Sequence, residues 1–174
     1  MSAEKRDWIR RCIKDHEGRL ISFTFRLTGD LEQARDIVQE SFLELWDADD
    51  DNLRDRVTPW LYTVCRNKAL NVLRRENKVV PLQDRQLRDQ RQSACSLLEQ
   101  RQSAIRLEEA LGTLPKRDQE LLTLKYQNEM TYKEISEVTG LSITNVGYHL
   151  HMGLKALRSI FCTTDIEVSG QGGK

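Results

Sequence analysis

The sequence predicts an all-α protein: two small helical domains joined by a flexible linker, the C-terminal one containing a helix-turn-helix. Few segments alternate with the period of two that strands show, helical periodicity recurs from Trp8 to Ile160, and only Pro59, Pro81 and Pro115 interrupt it. A chain of 174 residues forms one medium domain or two small ones, and its 39% hydrophobic and 31% charged residues are those of a soluble globular protein. The first residues, MSAEKRDWIRRCIKDHEGR, carry charges throughout and no apolar run. That pattern fits neither a secretory signal nor a membrane span, so the expectation is a cytoplasmic protein with no membrane insertion. Cys12, Cys65, Cys95 and Cys162 are scattered, with no CxxC pair and no His cluster nearby, which predicts idle or buried thiols and no metal or other cofactor.

The first helix is expected from about Lys5 to Leu27. It ends at Thr28-Gly29-Asp30, where Gly29 takes the left-handed C-terminal position and Asp30 caps the next helix. That second helix covers Leu31 to Trp46. After the acidic loop Asp47 to Asp51, Thr58 as cap and Pro59 in the first turn start a third helix reaching about Asn77. Residues 81–100 are rich in Gln, Arg and Asp and poor in apolar side chains, so they read as a linker between a lobe at 1–80 and one at 101–162. In the second lobe one helix ends near Leu111, another follows Leu114-Pro115 to about Tyr126, and a tighter pair follows. A tail over 163–174, ending in VSGQGGK, is expected to be disordered.

The second helix carries more apolar surface than one core needs. Leu31, Ala34, Val38, Phe42 and Leu45 form one stripe, with Ile37 and Ser41 at its edge, which is the core face. A second face collects Asp36, Gln39, Glu40, Leu43 and Trp46, placing two large apolar side chains among acids. Either another part of the chain covers them or a partner docks there. Charge is also divided: residues 1–50 hold eight Lys and Arg against twelve Asp and Glu, residues 51–80 seven against three. An acidic segment followed by a basic one suits two different partners, although formal net charge is zero.

On the third helix, Leu61, Tyr62, Cys65, Ala69 and Val72 cluster on one side, while Trp60, Thr63, Asn67, Asn71 and Arg74 line the other. An aromatic and amide row flanked by Arg66, Lys68, Arg74 and Arg75 can stack on unpaired bases, bond their edges and hold phosphates. An ordinary solvated face would show the same pattern. Further on, Thr131 and Glu134 form a capping box, Gly140-Leu141-Ser142 supplies a turn and a fresh cap, and Ile143, Val146, Leu150, Leu154 and Leu157 form an inner stripe. This is the punctuation of a helix-turn-helix whose second helix enters a major groove, with Thr144, Asn145, Tyr148, His151, Met152 and Lys155 outward and His149 to one side. A plain helical hairpin shares the stripe but needs neither the capping box nor the caps.

Taken together, LTGDLEQARDIVQESFLELW, PWLYTVCRNKALNVLRRENK and the helix-turn-helix TYKEISEVTGLSITNVGYHLHMGLKALR resemble the extracytoplasmic-function sigma factors of the sigma-seventy family, over about Trp8 to Leu157. The resemblance implies a promoter-specificity subunit that joins core RNA polymerase, recognises promoter DNA and helps open it. By position it implies that Asp36, Gln39, Glu40, Phe42, Leu45 and Trp46 dock on the clamp helices of the largest catalytic subunit, with Leu43 joining them from the second face read above, the second lobe meeting the flap of the second. It assigns the minus-ten element to Arg66, Asn67, Arg74 and Arg75, to which the outer row read from periodicity adds Trp60, Thr63, Lys68 and Asn71 as candidate contacts. The minus-thirty-five element falls to Thr131, Tyr132, Ser142, Thr144, Asn145, Tyr148, His149, His151, Met152 and Lys155. An anti-sigma factor is a common partner in the family.

This chain departs from the family pattern in places. Asn71 stands where Asp is common, and Gly147, His149 and Met152 stand where Lys or Arg is usual, which removes phosphate contacts and puts a helix-weakening glycine in the motif. No catalytic constellation is present in the sequence: His16, His149 and His151 lack a nucleophile or ligand cluster at useful spacing. Two other readings remain open at this level. VGYHLHMGLKALR also looks like the recognition helix of a LuxR-type activator, although residues 1–80 lack the βα alternation of a receiver domain. A first lobe that binds a protein partner and no DNA is the third.

Overall fold

The computed structural model describes residues 3–48, 51–75 and 97–169, and no strand occurs among them. Seven helices follow in order: α1 (Ala3–Thr28), α2 (Leu31–Asp47), α3 (Val57–Arg75), α4 (Leu97–Gly112), α5 (Lys116–Leu122), α6 (Tyr132–Thr139) and α7 (Ile143–Ser169). A 3-10 turn, Asp51–Arg56, leads into α3, and a π-helical turn, Thr123–Gln127, continues α5. The described residues divide into two compact units. One holds α1, α2 and α3 with Lys133–Leu141; the other holds α4, α5, Tyr132 and α7.

The turn between α1 and α2 follows from three residues. Gly29 adopts φ +74°, which a side chain would strain, and its N–H donates to Phe25 O at 2.8 Å. The Asp30 carboxylate accepts from the Glu32 and Gln33 amides at 2.9 and 3.1 Å, satisfying two orphan donors at the start of α2. The Thr28 hydroxyl donates to Thr24 O at 3.1 Å. At the far end of α2, the Lys5 ammonium donates to Ala48 O at 2.7 Å, tying the start of α1 to the end of α2.

Helices α1, α2 and α3 pack against one another. Their core holds Leu20, Val38, Leu45, Leu61 and Tyr62, and the Phe23 and Tyr62 rings meet edge to face at 5.0 Å. Ser41 is buried without waste of its polar atom, because its hydroxyl donates to Ile37 O at 2.7 Å and accepts from the Cys65 thiol at 3.3 Å. Burial pushes that thiol above its usual range and keeps it protonated.

Several expectations need correction. Thr58 does not cap α3: the 3-10 turn runs straight into Val57, so Thr58 already lies inside the first turn, and its hydroxyl faces His16 Nε2 at 3.5 Å. Pro59 is in that first turn as predicted. Leu31 is only half-buried and Ile143 is 53% exposed, although both belonged to core stripes. Each is the first residue of its helix, and side chains tilt toward the helix N-terminus, so the stripe overhangs the packed surface there. Helix also occupies residues 97–100 of the expected linker and 163–169 of the expected tail; no Gly or Pro occurs from Leu154 until Gly170, so nothing local stops α7. The rest of both segments, like the end of the predicted third helix at Glu76 and Asn77, lies outside the described residues.

In the second unit α5 and α4 both pack on α7. The closest approach is at Gly153, where an added Cβ would sit 3.0 Å from Leu122 Cδ1 and 3.5 Å from Asp118 Cβ. Leu121, Leu122 and Leu124 are all buried, a spacing that one regular helical stripe does not supply and that accompanies the widening of the helix into the π turn. The turn is closed by the Met130 amide donating to Leu124 O at 3.2 Å and the Lys125 ammonium donating to Met130 O at 3.1 Å.

Candidate functional site

The outer face of α2 is bare. Asp36, Gln39 and Glu40 are exposed, Leu43 is 64% exposed, and Trp46 keeps 37% of its surface in water. Burying a leucine side chain is worth about 1.5–3 kcal/mol, so a folded helix that leaves Leu43 in water forgoes a gain that a partner can supply. Phe42 and Leu45 are different: at 8% and 0% exposure they belong to the core. From there they fix the exposed face of α2 from behind.

On α3, Asn67, Asn71, Arg74 and Arg75 are exposed, while Trp60, Thr63, Arg66 and Lys68 are half-buried. The Thr63 hydroxyl proton is committed to Pro59 O at 2.8 Å. Lys68 departs most from expectation. Its ammonium lies 2.8 Å from Glu40 Oε2 and 2.8 Å from Glu44 Oε1, so it crosses to α2 and is not presented with the amides. The hydrogen bonds it donates to Glu40 and Glu44 raise its pKa, so the ammonium stays charged.

At the helix-turn-helix, Thr131 immediately precedes α6 and Glu134 sits in its first turn, the positions a capping box requires. Gly140 takes φ +73°, and its amide donates to Ser136 O at 2.9 Å. Ser142 caps α7, its Oγ accepting from the Asn145 amide at 3.2 Å. Thr131, Tyr132, Ser142, Thr144, Asn145, Tyr148, His151, Met152 and Lys155 are all exposed. His149 is not: its Nδ1 lies 2.7 Å from Oδ1 of the buried Asp118, so it braces α7 against α5 with that nitrogen unavailable to a ligand. The Tyr132 ring lies over Gly147 and beneath the Lys125 ammonium, 5.5 Å from its centroid.

Residues 12–79 match the model described as Sigma-70 region 2, and residues 104–157 match the model described as Sigma-70, region 4. The chain belongs to the sigma-70 family. This sigma factor contains both matched regions in order, which a lone helix-turn-helix regulator would not. It is 27% identical over 143 residues to the ECF RNA polymerase sigma factor SigM of Bacillus subtilis, covering 80% of this chain and 86% of that one. Against the ECF RNA polymerase sigma factor SigL of Mycobacterium tuberculosis it is 28% identical over 155 residues, 86% of each chain. Its fold is similar to the sigma factor RpoE in a co-crystal structure with the anti-sigma factor NepR from Bartonella quintana, with TM-score 0.64 and 16% identity over 87% of this chain and 95% of that one. It is an RNA polymerase sigma factor of the extracytoplasmic-function branch.

Sequence reasoning missed Glu44 and Asp118. Glu40 and Glu44 are like charges one helical turn apart, a pairing that signals a cation between them. Asp118 gave no such signal, because its partner lies 31 residues away.

Proposed function

We propose that this sigma factor docks on core RNA polymerase through Asp36, Gln39, Glu40, Leu43 and Trp46 on α2, with Phe42 and Leu45 supporting that face from the core. The clamp helices of the largest catalytic subunit are the docking site, with the flap of the second subunit meeting the 101–162 lobe. The observation that carries this reading is the exposed Leu43 and Trp46 on a helix whose opposite side is fully packed. The 1–80 lobe then offers Trp60, Asn67, Asn71, Arg74 and Arg75 to the melted minus-ten strand, where amides bond base edges and arginines hold phosphates. The second lobe lays α7 in the major groove of the minus-thirty-five element, presenting Thr144, Asn145, Tyr148, His151, Met152 and Lys155.

The protein makes and breaks no covalent bond itself. Core polymerase does the chemistry in the cytoplasm, while sigma contributes binding energy that favours open over closed DNA. Lys155 and Arg158 are the exposed cations of the first five turns of α7, so its phosphate contacts are few and its hold on duplex depends on tethering through the docked first lobe. An anti-sigma factor that covers α2 or α3 would hold the protein inactive, a reading supported by the complex in which the RpoE fold was solved. Run-off transcription with purified core polymerase on candidate promoters tests the proposal: transcripts that start only when this chain is added support it, and a chain that binds promoter duplex but never supports initiation refutes it.

A further inference from the structure

Lys68 follows Asn67 by one residue and precedes Asn71 by three, so it has a place beside the amides of α3. Its ammonium is nevertheless turned to α2, 2.8 Å from Glu40 Oε2 and 2.8 Å from Glu44 Oε1. One cation thus neutralises two acids a turn apart on α2, and the same two acids withhold that cation from the outer face of α3. Glu40 is at the same time an exposed member of the face that carries Gln39, Leu43 and Trp46. The two proposed interfaces are therefore joined by one three-residue charge cluster.

We infer that Lys68 couples docking to promoter binding: a basic side chain of the docking partner takes over Glu40 and Glu44, and Lys68 swings out to hold a phosphate of the separated strand beside Asn67 and Asn71. This rests on the docking assignment of α2 given above. Every charge stays paired before and after the exchange. Partly exposed ion pairs are individually weak, so the two arrangements are close in free energy and docking suffices to bias them. In the free protein α3 presents one cation fewer to nucleic acid, and after docking it gains one phosphate contact.

The test uses the full chain, alone and reconstituted with core polymerase. Probes are a fluorescent single strand carrying the non-template minus-ten segment of a promoter active in run-off assays, and the corresponding fork-junction DNA. Lys68→Met should weaken fork-junction binding by the holoenzyme about fivefold and lower the salt slope by roughly one, while leaving single-strand binding by the free chain unchanged. Glu44→Gln should strengthen single-strand binding by the free chain about fivefold, and Lys68→Met added to it should remove the gain. Lys68→Arg should behave as the wild type, which separates charge from fold. Equal effects of Lys68→Met in the free chain and the holoenzyme, or a Glu44→Gln gain that is absent or survives Lys68→Met, would overturn the inference. The free-chain arms do not depend on where polymerase docks, so they can fail while Leu43 and Trp46 variants still show the docking assignment to be right, or the reverse.

Discussion

His149 Nδ1 stands 2.7 Å from Asp118 Oδ1, a bond across 31 residues that fixes α7 on α5. The carboxylate is buried and lies in the first turn of α5. Asp118→Ala leaves the imidazole without its partner and should cost about 1–2 kcal/mol, while Asp118→Asn, which keeps an acceptor, should cost less. A double-mutant cycle with His149→Ala, read by chemical denaturation, checks this; additive losses would show that the contact contributes nothing.

The two glycines of α7 should respond in opposite directions. At Gly147 an added Cβ meets Tyr132 Cε2 at 3.6 Å, an ordinary contact, so Gly147→Ala should stabilise the protein by about 0.5–1 kcal/mol through helix propensity. At Gly153 the same atom comes within 3.0 Å of buried Leu122, so Gly153→Val should destabilise by about 1–3 kcal/mol through overpacking. Thermal melts of both variants decide the matter.

His16 makes stability depend on pH. Burial pushes its imidazole below 6.5, Asp15 partly opposing and Arg19 adding to the shift, and the ring faces the Thr58 hydroxyl at 3.5 Å. The unfolded chain takes up a proton at about 6.5 while the folded chain resists it, so unfolding binds protons and stability falls as pH drops from 6.5 toward the lower folded value. His16→Gln should flatten this part of the profile. Urea midpoints at pH 7.5 and 5.5 measure it; an unchanged difference in the variant would show that other groups set the slope.

What was legible in the sequence was what chemistry decides locally. The Gly29-Asp30 and Gly140-Leu141-Ser142 turns were readable because positive φ and capping hydroxyls or carboxylates act within four residues. The exposure of Leu43 and Trp46 was readable because helical period turns them about a quarter to a third of a turn away from the core stripe. The intrachain partners of Lys68 and His149 were not legible, because Glu40 with Glu44 and Asp118 come from other helices, and no spacing along the chain encodes which helices cross. Phe42 and Leu45 illustrate the converse: periodicity placed them in the core, and resemblance by position drew them into the docking set.

Assembly with core polymerase is the measurement that bears most directly on this account. Gln39 and Leu43 are exposed and Trp46 is 37% exposed, so replacing all three with alanine should keep the helical circular dichroism of the chain, with a lower melting temperature from the lost packing of Trp46. The same variant should lose most of its affinity for core polymerase, by a hundredfold or more at about 1–2 kcal/mol per anchor. A folded triple variant that still forms holoenzyme with unaltered affinity would contradict the assignment of α2 as the docking helix.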